Sequence, residues 1–190
     1  MHRTLRNIHL CAGLFCAAYL LMYAASAVQM AHSSLFNNKP RTTESRVRVV
    51  PGLGGARAVA RELMANHGVA GELNQVEKRD AGMYFRVVRP GTVYEALYHA
   101  DSGEVEMKEH VAGFMGMLNR IHHVGGLWHE YWLMNVFGVY TGLVSLGLLV
   151  LSGTGIYLWF KLHRERRVGA VLLIATLGVT LPLIVAMRLA

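Results

Sequence analysis

Three long stretches of the chain contain no charged side chain, and they dominate its hydrophobic pattern. They are residues 10–31, 133–160 and 168–187. Each reaches the roughly 20 residues that an α-helix needs to cross a hydrocarbon core about 30 Å thick. Because a chain in lipid must satisfy its backbone hydrogen bonds internally, the pattern predicts three transmembrane helices.

The segment between the first two spans has the pattern of a small water-exposed domain. Helical periodicity over residues 54–68 places apolar side chains on one stripe, and Gly68 is a suitable stop. Alternating segments follow at 83–88 and 93–100, separated by the turn sequences RPGT and DSGE, and a further strand resumes after the second turn. Residues 40–51 predict a linker that enters a short strand. We therefore predict a membrane α-helical protein with three transmembrane helices and an inserted small α+β exported domain, whose sheet has three or four strands.

These patterns divide the chain into six parts. They are 1–33 (cytoplasmic amino terminus and first transmembrane helix), 34–111 (exported domain), 112–126 (interfacial amphipathic helix), 127–160 (second transmembrane helix), 161–167 (basic cytoplasmic loop) and 168–190 (third transmembrane helix). A single helix from His122 to His163 would be about 61 Å long, twice the bilayer thickness, so the chain is expected to break at Gly125-Gly126. Trp128, Tyr131 and Trp132 predict an aromatic belt at the membrane surface.

The formal net charge of +7 is concentrated beside the spans. Between His32 and Trp132 there are 12 Lys and Arg against 11 Asp and Glu, so this segment has no basic surface excess, and no nucleic-acid partner is predicted. The positive-inside rule makes the basic loop 161–167 cytoplasmic, and Arg3 and Arg6 place the amino terminus on the same side. The predicted location of the protein is the bacterial inner membrane, where lipid surrounds its spans. Residues 34–126 and the carboxyl terminus are predicted to be extracytoplasmic.

An alternative interpretation of the first span is a cleaved signal peptide with Ala25-Ser26-Ala27 as its A-x-A site. The apolar run continues beyond Ala27, which favours a retained helix. Cys11 and Cys16 lie five residues apart and point in different directions around a helix, so an internal disulfide is not expected.

The exported segment lacks the usual patterns of catalytic sites. It contains no nucleophile elbow, Gly-rich phosphate loop or HExxH sequence, and its carboxylates are scattered among turns and strand edges. Its histidines His67 and His99 are single. The absence of a catalytic pattern favours binding or positioning over hydrolysis.

The chain has ten histidines, and several lie near the ends of the predicted spans. His9 begins the first span and His32 ends it, about 34 Å apart along an ideal helix. His122, His123 and His129 precede the second span, and His163 follows it. Imidazoles from facing helices are the common axial ligands of b-type haem, so this placement suggests haem at both membrane faces.

Two interpretations of these histidines stay open from spacing alone. They are either haem ligands or interfacial residues whose polar tips reach water. If they bind haem b, we expect His9 to pair with His163 and His32 to pair with His122. Gly125-Gly126 separates His122 from His129, so His123 is the first substitute for His122, whereas His129 fits the aromatic belt better.

Several segments resemble the PepSY-associated transmembrane proteins. LRNIHLCAGL is similar to the Leu-x-x-x-His opening of the family's first span and contains His9. MLNRIHHVGG resembles the family's Leu-His segment and contains His122, and LSGTGIYLW resembles its Thr-Gly-x-x-x-Trp exit at Thr154, Gly155 and Trp159. The resemblance covers nearly the whole chain.

The resemblance implies a PepSY-like exported domain on a helical membrane domain. Larger relatives act as haem-containing inner-membrane reductases, including reductases of iron–siderophore complexes, so the resemblance implies electron transfer to an exported acceptor. Whether this chain is itself an enzyme stays open; if it is, the resemblance implies a membrane oxidoreductase of the ferric reductase type. This chain has fewer spans than those relatives, and a homodimer or a partner subunit of a redox complex would complete the haem bundle. The alternative that the family name implies is a non-enzymatic, membrane-anchored PepSY module that binds or modulates an exported protein or protease.

Overall fold

The computed structural model describes residues 2–36, 39–162 and 166–189. Its helices are α1 (His2–Ala31), α2 (Ala56–Asn66), α3 (Phe114–His122), α4 (Trp132–Leu162) and α5 (Arg166–Leu189), with a short 3-10 turn at Ser33–Leu35. Its strands are β1 (Arg41–Arg48), β2 (Glu72–Arg79), β3 (Gly82–Arg89), β4 (Thr92–His99) and β5 (Glu104–Val111).

Three of the helices are long and apolar enough to cross a membrane. These candidate spans cover Arg3–Ala31, Trp132–Lys161 and Arg166–Leu189. They contain the three uncharged stretches of the sequence, which confirms that the chain is a membrane protein with a helical membrane part.

The five strands form one antiparallel sheet in the order β1-β5-β4-β3-β2. We call the sheet together with α2 the αβ domain. The predicted fold class is confirmed, but the expectation of three or four strands was too low. β1 is a full strand of eight residues, and β2, with the sequence ELNQVEKR, was missed. Both are edge strands with mostly exposed side chains, so neither needs the strict apolar alternation that marks a half-buried strand.

One face of the sheet forms a core with α2. Val59 and Leu63 of α2 are buried in the same apolar cluster as Phe85, Val87 and Tyr98 of the sheet. The helix begins two residues later than the sequence predicted and ends at Asn66, and Gly68 has a φ of 70°, as a residue that ends a helix requires. The 3.6-residue spacing of apolar side chains on α2 therefore fixed which face is buried.

The opposite face of the sheet is a ladder of charged side chains. Lys108 bonds Glu44 at 2.7 Å, Arg86 lies 3.6 Å from Glu95, and Arg46 lies 3.1 Å from Glu106. Such exposed cross-strand pairs keep this face soluble and contribute little each to stability.

The chain separates into two compact units. One comprises Ala18–Leu143, and the other comprises Met1–Ala17 together with Val144–Ala190. The first unit contains the αβ domain, α3 and the adjoining ends of α1 and α4. Within it, α3 ends at His122, the chain turns through Gly126 with a φ of 96°, and α4 begins at Trp132, so the interruption covers residues 123–131 and includes the glycine pair where a break was expected.

Candidate functional site

The His9 side chain is bonded to a hydroxyl of α4. Its Nδ1 lies 3.0 Å from Oγ1 of Thr154. That same oxygen lies 2.7 Å from the carbonyl oxygen of Val150, one turn back on α4, and the threonine hydroxyl has a single proton to donate. The hydroxyl donates to its own helix, so it accepts from Nδ1–H of His9. This network assigns the proton of the neutral imidazole to Nδ1 and leaves a lone pair on Nε2.

Glycine lets the His9 ring approach α4 closely. A Cβ placed on Gly155 would lie 3.2 Å from Cε1 of His9, tighter than an ordinary contact. Farther along the same contact, a Cβ on Gly147 would lie 2.8 Å from Sγ of Cys16, which itself lies 3.7 Å from the carbonyl oxygen of Val144. Small residues therefore allow α1 and α4 to touch directly here, as in many membrane helix pairs.

His122 has the same kind of partner in the other compact unit. Its Nδ1 lies 2.8 Å from Oγ of Ser26, a side chain that is 1% exposed. The serine oxygen also lies 2.9 Å from the carbonyl oxygen of Tyr23, to which it donates its one proton. The serine therefore accepts from Nδ1–H of His122, and the lone pair of His122 is again on Nε2.

Tyr23 holds His122 from a second side. The two rings lie 4.3 Å apart between centroids, and the tyrosine hydroxyl donates to the carbonyl oxygen of His122 at 3.3 Å. One turn earlier on α1, Tyr19 stacks on Tyr23 at 4.4 Å and bonds Oγ1 of Thr141 at 3.1 Å. The ring orientation of His122 is thus fixed by packing as well as by its hydrogen bond.

The hydroxyls that bond these histidines were not among the residues predicted for a site. Thr154 was singled out only as part of the family-like segment, and Ser26 only as part of a cleavage site. A usable signal was present in the sequence: Tyr19, Tyr23 and Ser26 recur at i, i+4 and i+7 along an apolar span. Polar residues inside a membrane helix usually face a protein neighbour, and three on one stripe mark such a face.

The His129 ring stacks on that of Trp128, with 5.9 Å between centroids, and its side chain also bonds strand β2 of the αβ domain. Its Nδ1 lies 3.1 and 3.2 Å from the two carboxylate oxygens of Glu72, and its Nε2 lies 3.1 Å from the carbonyl oxygen of Gly125. Both ring nitrogens therefore face oxygen acceptors. Both nitrogens are thus engaged in this arrangement, and spacing along the chain does not predict the contact with Glu72.

The remaining candidate histidines are less constrained. His32 follows the last turn of α1 and is exposed, and His123 is exposed at the end of α3, with its ring 5.6 Å from that of His122. No contact joins His32 to His122 among the described residues. His163, the predicted partner of His9, lies outside the described residues.

Among the described residues, the candidate histidines are separate side chains and do not form a cluster that could hold a metal ion. Within residues 2–36, 39–162 and 166–189, no three His, Cys, Asp or Glu side chains converge on one point. His9 and His122 do carry the outer hydrogen bond that typically orients a metal-bound imidazole, with Nε2 left for the metal. His9 and His122 therefore share the hydrogen-bonding pattern of an imidazole that ligates through Nε2.

The sequence of this chain was compared with those of known proteins. It matches the PepSY_TM-like family over residues 1–189. No curated protein and no solved structure gives a match. Because the match extends over nearly the full chain, and the structure combines membrane-spanning helices with a small α+β domain, this chain belongs to the PepSY_TM-like family.

Proposed function

We propose that this protein transfers electrons across the bacterial inner membrane with b-type haem, toward an extracytoplasmic acceptor such as ferric iron or an iron–siderophore complex. The observation that carries the proposal is the shared arrangement of His9 and His122. Each imidazole donates from Nδ1 to a hydroxyl whose own proton is committed to a helix carbonyl. Each therefore offers Nε2 as a preset ligand, at no cost in tautomer rearrangement.

The residues of this chain would orient and polarise the ligands. Thr154 and Ser26 fix the ring planes of His9 and His122 and strengthen the electron-donating character of Nε2. Haem iron, when bound, supplies the one-electron chemistry that no side chain of the αβ domain offers.

A second axial ligand completes each proposed site. The sequence predicts His163 for His9 and His32 for His122, and in a homodimer or a redox complex the second imidazole would come from another subunit. The direct contact of α1 with α4 supports a site on the outer surface of this helix pair, where a further helix can cover it. In the proposed orientation the amino terminus is cytoplasmic and the αβ domain extracytoplasmic.

The absorption spectrum of the full-length protein tests the proposal. Protein purified in mild detergent from haem-replete cells should show the Soret and α bands of low-spin haem. His9→Ala and His122→Ala should each lower the haem content, whereas His67→Ala, in a histidine at the end of α2, should retain it. Colourless, iron-free wild-type protein would refute the proposal.

The hydroxyl partners provide a sharper test. Thr154→Val keeps the shape of the side chain but removes the acceptor for Nδ1–H of His9. We expect weaker haem retention, by about 10- to 100-fold for a lost outer-shell bond, and Thr154→Ser should restore it. Equal retention by the Val and Ser variants would contradict the role assigned to this bond.

A further inference from the structure

A cationic side chain with an unused donor lies where the αβ domain meets the start of the second span. Arg89 ends β3, and its Nε is buried without a hydrogen-bond partner among the described residues. Its Nη2 lies 3.5 Å from the hydroxyl of Tyr94, a long contact. Within the described ranges no carboxylate lies at ion-pair distance from Arg89. A buried guanidinium donor left unpaired is costly, so it points to a missing acceptor.

Arg89 lines a small cavity whose other walls are mainly apolar. The cavity has a volume of about 250 Å³ and lies within the unit Ala18–Leu143. Its walls come from the β3–β4 turn, the end of α3 and the first turns of α4: Pro90, Ile121, Val124, Tyr131, Leu133, Met134 and Phe137. The three α4 residues belong to the first turns of a candidate membrane span, so this wall adjoins the membrane-spanning part of the chain.

The turn that positions Arg89 is fixed against α3. Gly91 has a φ of 83°, and its carbonyl oxygen accepts a hydrogen bond from the amide of Ala112 at 2.8 Å. A Cβ on Gly91 would lie 3.1 Å from Cγ of Met117 in α3. The backbone beside Arg89 is therefore part of a packed turn rather than a free loop, which gives this wall of the cavity a preformed shape.

We propose that this cavity binds the phosphate headgroup of an anionic membrane phospholipid. The phosphate oxygens accept from Nε of Arg89, and the first part of an acyl chain lies against Met134 and Phe137. The volume is below that of typical sites for drug-sized ligands, roughly 300–1,000 Å³, and suits a phosphate with its glycerol linkage. The paired N–H donors of an arginine match the oxygen atoms of a phosphate, and phospholipid headgroups lie beside the end of a membrane span.

Native mass spectrometry of the full-length protein measures the headgroup preference directly. The protein is placed in nanodiscs of phosphatidylglycerol with phosphatidylcholine, and the lipids that stay bound when it is released from the nanodisc are counted. Phosphatidylglycerol should be retained in preference to phosphatidylcholine, and Arg89→Gln should weaken that retention about five-fold, the effect of one cationic contact with an anionic lipid. The matched control is Arg61→Gln, an exposed arginine of α2, which should leave retention unchanged.

Two further measurements test the site without a variant and with a phosphate that is not part of a lipid. Hydrogen exchange of the wild-type turn around Gly91 should slow in nanodiscs with phosphatidylglycerol, a readout that needs no variant to fold. Inorganic phosphate added to pure phosphatidylcholine nanodiscs should not reproduce this protection if the site is built for lipid. Equal retention of both lipids, an equal loss in Arg61→Gln, or protection by inorganic phosphate would each overturn the proposal.

Discussion

The carboxylate of Glu72 fastens the segment that leads into α4, and its removal should release that segment before anything else unfolds. It accepts from Nδ1 of His129 and, at 3.1 Å, from the backbone amide of Glu130. Glu130 in turn pairs with Arg57 of α2 at 3.0 Å. We therefore predict that Glu72→Ala loosens the chain around His129 while the core of the αβ domain remains folded.

The size of this effect on the Glu130 amide follows from the one hydrogen bond that the amide loses. A bond to a charged group contributes about 1.5–3 kcal/mol, and we take the lower value because the Glu72 side chain is 20% exposed. A loss of about 1.5 kcal/mol raises the local opening equilibrium roughly ten-fold. Exchange of the Glu130 amide, which loses its acceptor, should accelerate by about this factor.

Hydrogen–deuterium exchange of the full-length protein in detergent, resolved over residues 127–131, measures this release. The matched control is Glu77→Ala on the same strand. The Glu77 carboxylate bonds the side chains of Gln75 and Arg79, which lie two residues away on β2. This control should leave the exchange of residues 127–131 unchanged. Unaltered exchange of Glu130 in Glu72→Ala would refute the reasoning.

Two further predictions concern the αβ domain itself. Tyr98→Phe should lower its free energy of unfolding by about 1–3 kcal/mol in chemical denaturation, because the buried hydroxyl accepts from Leu53 N–H at 3.1 Å and donates to the Val50 carbonyl at 3.3 Å; full stability in the variant would show that water replaces the hydroxyl. The Lys108 ammonium hydrogen-bonds Glu44 and holds the pKa of that carboxyl below its usual value, so the pair stabilises the fold at neutral pH and is lost as pH falls through this lowered pKa. Lys108→Gln should return the pKa of Glu44 toward its usual value in carboxyl NMR titration, and an unmoved pKa would contradict this cause.

The sequence predicted the elements whose pattern is set by solvent. Residues 10–31, 133–160 and 168–187 must be helices because lipid offers no partner for backbone groups, and the structure has a helix across each. The stripe on α2 and the alternation in β3 and β4 were equally legible because these elements bury one face. The edge strand β2 was not predicted because its mostly exposed side chains show no alternation of apolar and polar residues.

Tertiary structure alone decided what each histidine contacts. His9, His122 and His129 are the same residue type near the ends of predicted spans, yet one bonds Thr154, one bonds Ser26, and one bonds Glu72, 57 positions away along the chain. Hydrogen bonds join atoms that packing brings together, and spacing along the chain does not encode distances between elements. The sequence by itself therefore determined that this is a three-span membrane protein with a small α+β domain, whereas the fold determined which oxygen atom each imidazole bonds.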